Sequence, residues 1–435
     1  GAEGGRGGRR AASRGGSRPL LAAVLLAACA ASARALENGL GRTPPMGWNS
    51  WNKFGCNVSE KLIRETVDTM ISSGMRDAGY VYVNVDDCWQ ARTRDERGDI
   101  RPDPELFPSG MKALGDYIHA HGMKFGIYSS AGHRTCEGLP ASMGHEDADA
   151  RKYAEWGVDF LKYDNCYNGG VPTKVRYNRM RDALLRVDRP IFYSICEWGN
   201  DHPWDWAQQS GNAWRTTQDI KPDWEWLQTI LEFNEPLFDR AGPGGWNDPD
   251  MLEVGIGLPG ELGGGAGDRG LTLDEQEAHF ALWALMKAPL LAGNDITSMS
   301  EDTRRILLNK EIIAVNQDPL GRQGHRVNIT YSIDTGASEV WAGPLANGDV
   351  AVVLFNKDWS DEAKPKTLEA MWSDLGLDPW ARAHVRDLSE GKDLGVFRGS
   401  FEAPVNPHGA KMFRVTPIEG ASLPLKHFNV KNVWS

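Results

Sequence analysis

The sequence is short of cysteine, of basic charge and of long apolar runs, and each shortage excludes something. Six Cys in 435 residues are too few for a disulfide-built scaffold, and no pair has the CxxC spacing of a structural zinc site. No His-x-His pattern and no cluster of His with carboxylates stands within thirty residues of Asp86-Asp87, so that pair alone is weak support for a divalent metal, and none is expected. A GxGxxG fingerprint is missing after the first strand-like run, which counts against an open doubly wound sheet; no cofactor is expected. Lys+Arg number 48 against 59 Asp+Glu, a net charge of -11, so neither nucleic acid nor an anionic membrane is the main partner. The one apolar run, residues 19–28, is too short to span a bilayer.

What is present is a globular composition, 41% hydrophobic, with 17 Trp. The length suggests a large domain followed by a smaller one. Residues 1–35 stand apart: five Arg in a Gly/Ser-rich start, the apolar run, then Ala33-Arg34-Ala35. This pattern reads as a secretory signal peptide cleaved after Ala35, and Leu26-Ala27-Ala28-Cys29 also fits a bacterial lipoprotein site. Removing that segment, with six Arg and one Glu, takes the charge to -16. Five Cys then remain, an odd count that predicts two bridges and one free thiol in an oxidising compartment. Asn57-Val58-Ser59 and Asn328-Ile329-Thr330 are glycosylation sequons in a eukaryotic cell.

From 36 to 325 apolar strand-like runs alternate with helical patterns. Eight strands are expected, at Met46–Trp51, Tyr80–Trp89, Lys124–Ser130, Val158–Cys166, Ile191–Trp198, Ala213–Ile220, Gly245–Met251 and Pro289–Asp295. That rhythm predicts an α/β fold, a (β/α)8 TIM barrel. Ser59 should cap a helix whose Leu62, Ile63, Val67 and Met70 share a face, ending at Gly74, and Thr272 and Glu275 form a capping box. From 326 to 417 shorter alternating runs (Glu339–Pro344, Asp349–Asn356, Ala383–Leu388, Phe401–Val405, Lys411–Thr416) predict a C-terminal antiparallel β-sandwich. Residues 418–435 carry no clear period and no assigned role.

Barrel enzymes work at the C-terminal ends of their strands. Here those ends are rich in carboxylates and aromatics, a set suited to gripping a polyol, because carboxylates accept sugar hydroxyls and Trp faces pack on ring C–H groups. Lys162 and Asp164 are two residues apart on one side of a strand, so the lysine can keep the carboxylate ionised. Arg215 and Asp219 close another strand. Two carboxylates are the minimum equipment of a glycosidase, and strand order leaves their roles open. The same acids could also serve as helix caps or structural ion pairs.

The segments Met46-Gly47-Trp48-Asn49-Ser50-Trp51, Asp86-Asp87-Cys88-Trp89, Lys162-Tyr163-Asp164-Asn165-Cys166, Arg215-Thr216-Thr217-Gln218-Asp219 and Gly245-Trp246-Asn247-Asp248-Pro249-Asp250-Met251 together resemble the family 27 glycoside hydrolases, clan D, and among them the plant and algal α-galactosidases. The resemblance runs from Leu40 to Pro417. It implies a retaining exo-hydrolase of terminal α-galactosides, secreted or vacuolar, with Asp164 as nucleophile and Asp219 as acid/base. Retention then requires carboxyls about 5–5.5 Å apart, the acid with a raised pKa. It further implies that Trp51 stacks on the sugar, that Asp86 and Asp87 grip its outer hydroxyls, and that Tyr128, Lys162, Arg215, Asp250 and Met251 complete the pocket. Disulfides Cys56–Cys88 and Cys136–Cys166 follow from the same match. In Ser194-Ile195-Cys196-Glu197-Trp198, alternation sends Cys196 and Trp198 inward, where the bulk of Trp198 would exclude a 2-acetamido group. A β-L-arabinopyranosidase, an α-N-acetylgalactosaminidase, an inactive galactose-binding protein and a metallohydrolase are the competing expectations.

Overall fold

The computed structural model describes residues 36, 38–257, 270–333, 336–358 and 364–418. The expected leader and residues 419–435 of the expected tail lie outside the described residues.

Eight parallel strands form the first sheet: β1 (Met46–Asn49), β2 (Tyr82–Asn84), β3 (Lys124–Ser130), β4 (Phe160–Asp164), β5 (Phe192–Cys196), β6 (Ala213–Arg215), β7 (Trp246–Asp248) and β8 (Leu290–Ala292). Their order is β7-β6-β5-β4-β3-β2-β1-β8. A single parallel bridge from Leu252 to Ala292 links the chain just past β7 to β8, and the Leu252 N–H donates to Leu291 O at 2.9 Å. Closure there, among the described residues, rests on that one bridge. All eight strands fall within the ranges expected from the sequence, most of them shorter. β6 is the clearest case: it stops at Arg215, so Asp219 sits in a loop and not on the strand.

Side-chain alternation divides the barrel interior into levels. Tyr82, Phe160, Phe192, Ala213, Trp246 and Leu291 belong to one buried cluster, in which Phe160 and Phe192 stack at 4.9 Å. Two residues on along β4 come Lys162 and then Asp164, on the same side of the strand, so an aromatic floor at one end imposes a polar cup at the other. Gly126 of β3 faces this interior, and a Cβ there would lie 1.8 Å from Asn84 Oδ1; only glycine leaves β2 and β3 that room.

The surrounding helices have local causes. Ser59 Oγ accepts from Leu62 N, capping Glu60–Ser72, which buries Ile63, Val67 and Met70. Thr272 and Glu275 make the reciprocal capping box of Leu273–Leu285. Most of the tryptophans serve packing: Trp48, Trp89, Trp214, Trp246, Trp283, Trp341 and Trp372 are fully buried, and Trp156, Trp206 and Trp224 are buried as well.

The second part comprises β9 (His325–Ser332), β10 (Gly336–Pro344), β11 (Val350–Asp358), β12 (Lys366–Met371), β13 (Arg382–Asp387), β14 (Lys392–Arg398), β15 (Ser400–Val405) and β16 (Ala410–Pro417). Six form a sheet ordered β14-β13-β16-β11-β10-β9, and β12 pairs with β15. Val350, Val352 and Leu354 of β11 pack with Leu368, Phe401 and Val405 between the two sheets. Their alternates Ala351, Val353 and Phe355 join the barrel's own core. A strand buried on both faces therefore welds sandwich to barrel.

Candidate active site

A pocket opens at the C-terminal ends of the barrel strands and is lined by Trp51, Asn52, Asp86, Asp87, Tyr128, Cys136, Lys162, Asp164, Trp198, Arg215, Asp219, Ile220, Asp250 and Met251. Eleven of the twelve expected sugar-handling positions are thus brought together. The twelfth, Cys196, is buried behind the wall with its Sγ 3.7 Å from Arg215 Nη1. Its neighbour Glu197 points away, as alternation required, accepting from Asp201 N at 2.5 Å; burial pushes its carboxyl up to about 7 against that N–H donor. Trp198 reaches the pocket from a left-handed turn (φ 64°) past the end of β5 and not from the strand itself.

Asp86 and Asp87 follow β2. Asp86 Oδ2 is held by Lys162 Nζ at 2.8 Å and by Asn49 Nδ2 at 2.7 Å. Asp87 accepts backbone N–H groups from Cys88 at 2.7 Å and Glu137 at 3.0 Å. Its burial outweighs those donors and lifts its pKa to about 6. Lys162 is held protonated: burial opposes the charge, but Asp86 and the other pocket carboxylates prevail.

Asp164 ends β4. Its Oδ2 accepts from Tyr128 OH at 2.9 Å and its Oδ1 from Asn165 N at 2.8 Å. Burial raises its pKa above the ordinary value, opposed by Lys162, by the Asn165 N–H and by the Tyr128 hydroxyl, while the charge of Asp219 adds to the rise. Asp219 behaves oppositely. Partial desolvation would raise its pKa, but the Arg215 and Lys162 charges win and hold it below the usual carboxylate value. Arg215 Nη2 lies 3.1 Å from Asp219 Oδ1 and 2.8 Å from Asp250 Oδ2. The expected ordering, a raised acid and a low nucleophile, is therefore reversed. The Asp219 side chain is 71% exposed, so solvent screens it, whereas Asp164 is buried.

Both expected disulfides form, Cys56–Cys88 and Cys136–Cys166, leaving Cys196 as the free, buried thiol among the described residues. Tyr128 OH lies 3.2 Å from Cys136 Sγ, so the second bridge is part of the pocket wall. Asn57 is exposed. Asn328 is half-buried, with its Nδ2 donating to Asp374 Oδ2 at 2.5 Å.

Sequence reasoning missed Asn52 and Ile220. Asn52 hydrogen-bonds Glu253, whose carboxyl burial pushes up to about 8. Neither Asn52 nor Glu253 stands at an expected strand end with an obvious partner, so no local signal marks the pair.

Two family models match: the one described as alpha galactosidase A over residues 43–318, and the alpha galactosidase C-terminal beta sandwich domain over 335–415. The chain is 48% identical over 382 residues to an alpha-galactosidase of Cyamopsis tetragonoloba, covering 88% of each. Among solved structures it is similar to alpha-galactosidase I of Mortierella vinacea (TM-score 0.80, 38% identity, 87% of this chain and 98% of that one). It is also similar to an alpha-galactosidase of Saccharomyces cerevisiae with raffinose (TM-score 0.79, 32% identity, 88% and 99%).

Proposed function

The chain belongs to the α-galactosidases of glycoside hydrolase family 27, and from that premise we propose that Asp164 and Asp219 carry out a double displacement on terminal α-galactosides. The observation that carries this is that one strand-end pocket holds both carboxylates, the first buried and oriented by two donors, Tyr128 OH and Asn165 N, with the Lys162 charge nearby, the second exposed and paired with Arg215. Asp164 attacks the anomeric carbon while Asp219 gives its proton to the departing oxygen, leaving a β-galactosyl ester on Asp164. Asp219, now a carboxylate, takes a proton from water, which attacks the same carbon and releases galactose with its configuration retained. A bound sugar displaces water from Asp219, and that desolvation raises its pKa toward what an acid requires. Asp250 competes for Arg215, which lets Asp219 protonate without stranding the guanidinium.

The remaining residues fix the sugar. Asp86 and Asp87 accept from the outer hydroxyls, Lys162 donates, and Trp51 offers a face to the ring's C–H side. Trp198 walls off the position of a 2-acetamido group. Raffinose-type oligosaccharides, galactomannan side chains and galactolipids all present the required terminus. Residues 1–35 act as an export leader, 36–325 as the catalytic barrel and 326–417 as the sandwich; the disulfides support an oxidising compartment. Among the described residues no helix is long and apolar enough to cross a membrane.

The test is Asp164→Asn with an aryl α-galactoside. Turnover should fall by roughly 10³-fold or more, as removal of a nucleophile does; undiminished turnover would remove Asp164 from the mechanism.

A further inference from the structure

The Asp219 carboxylate is 71% exposed, so packing around the side chain does not place it. Arg215 Nη2, 3.1 Å from Oδ1, is the side-chain contact it makes, and its backbone decides whether it stands within that reach. Two anchors hold that backbone: Asp250 Oδ2 accepts from Ile220 N at 2.9 Å, and Trp226 Nε1 donates to Asp219 O at 2.8 Å. Trp226 lies in the first turn of the helix Trp224–Asn234, capped by Asp223, whose side chain accepts from Trp226 N. Where this turn sits therefore decides where Asp219 sits.

The turn rests on the sandwich. Trp224, buried, meets Phe355 of β11 edge-on at 5.8 Å and stacks on His408 at 5.1 Å with the planes 21° apart. His408 occupies the connection between β15 and β16 in a left-handed conformation (φ 58°). Its Nδ1 is bonded at 2.7 Å to Oε1 of Glu275, a buried residue that also closes the capping box of Leu273–Leu285. The ring over Trp224 is thus fixed to a barrel helix. Near the far end of the Trp224–Asn234 helix, Glu232 pairs with Arg326 of β9 and Lys357 of β11, each at 2.9 Å. Asn234 accepts from Thr216 at 3.0 Å, next to Arg215. The helix carrying the Asp219 anchor is held by the second domain at Trp224 and at Glu232.

We infer that His408, a sandwich residue outside the pocket, is a positioning residue for the acid/base, acting through Trp224 and the helix turn that holds the Asp219 backbone. The inference rests on the proposed role of Asp219. A general acid works only within hydrogen-bond reach of the proton acceptor, and a displacement of about 1 Å can cost a factor of 10². Loss of the ring over Trp224 lets the turn relax and moves the acid, while Asp164, on β4, stays in place.

Acid misplacement has a signature that general destabilisation lacks: it slows departure of poor leaving groups and spares good ones. His408→Asn removes the ring and keeps a residue that tolerates the left-handed backbone. We expect it to lower kcat/KM for an alkyl α-galactoside about tenfold and to leave a dinitrophenyl α-galactoside within about twofold. Trp224→Phe, which shrinks the face beneath His408, should show the same selectivity to a lesser degree. Equal losses on both substrates, or none on either, overturn the inference. Asp219→Ala in the same assay separates it from the reading beneath it, since removal of the acid should cost roughly 10²–10⁴ on the alkyl substrate and far less on the other. If Asp219→Ala is not selective, the acid/base assignment fails and the inference falls with it; if it is selective and His408→Asn is not, only the role of His408 is refuted.

Discussion

Tyr128→Phe isolates what keeps Asp164 competent at low pH. The Tyr128 hydroxyl donates to Asp164 Oδ2 at 2.9 Å, and the Asn165 N–H holds the other oxygen at 2.8 Å. Burial drives the carboxyl toward its protonated form, and these donors with Lys162 oppose it. Phenylalanine preserves the ring of this buried side chain and deletes one donor. A hydrogen bond to an ionised acceptor contributes about 1.5–3 kcal/mol, and 1.36 kcal/mol corresponds to one pH unit. The sign follows from the roles. Asp164 attacks only as a carboxylate, the lost donor favoured the carboxylate, and so its protonation moves to higher pH. The acidic limb of kcat/KM should therefore shift up by about one to two pH units, with a smaller change on the plateau. The measurement is kcat/KM for an aryl α-galactoside across pH, which reports the free enzyme. Asp87, lifted to about 6, titrates nearby, so the limb belongs to the coupled cup and the comparison with the parent enzyme is what counts. A limb that stays in place while the plateau collapses, or one that moves down, would refute the reasoning and make the hydroxyl a sugar contact alone.

Two further outcomes are expected. Trp198→Ala should raise activity on an α-N-acetylgalactosaminide relative to the α-galactoside by about tenfold, because a steric wall rather than a lost attraction does the excluding; an unchanged ratio would place that wall elsewhere. Cys136→Ala with Cys166→Ala opens a loop with a sequence separation of 30, for which loop-closure entropy gives about 3–4 kcal/mol. The midpoint of chemical unfolding should fall accordingly, and activity with it since Cys136 lines the pocket; an unmoved midpoint would show that the unfolded loop is already compact.

The barrel was legible because its signal is local. A parallel strand buried on both faces reads as a short apolar run, and its C-terminal end reads as polar, so all eight strands could be located. The sandwich was half legible. β10, β11, β13, β15 and β16 alternate clearly, whereas β9 and β14, the two edges of the six-stranded sheet, were missed. Their burial patterns are mostly intermediate or exposed, and edge strands carry charge and little apolar periodicity. β12, with its Lys and Glu, lies in a two-stranded sheet and gave the same weak pattern.

By itself the sequence determined which chemical groups could meet. Strand alternation sends Lys162 and Asp164 to one side, and motif order puts five polar clusters at one end of a barrel. It also determined that two bridges would leave one thiol over. Tertiary structure alone decided the electrostatics: Arg215, shared between Asp219 and Asp250, reverses the expected order of the two pKa values. It alone ended β6 at Arg215, put Asp219 on a loop, withdrew Cys196 behind the wall and set a sandwich histidine against the helix that anchors that loop. The physical reason is range. Periodicity and capping act within a few residues, while charge, desolvation and ring stacking act across a few ångströms between residues such as Trp224 and His408, whose proximity no spacing in the chain encodes.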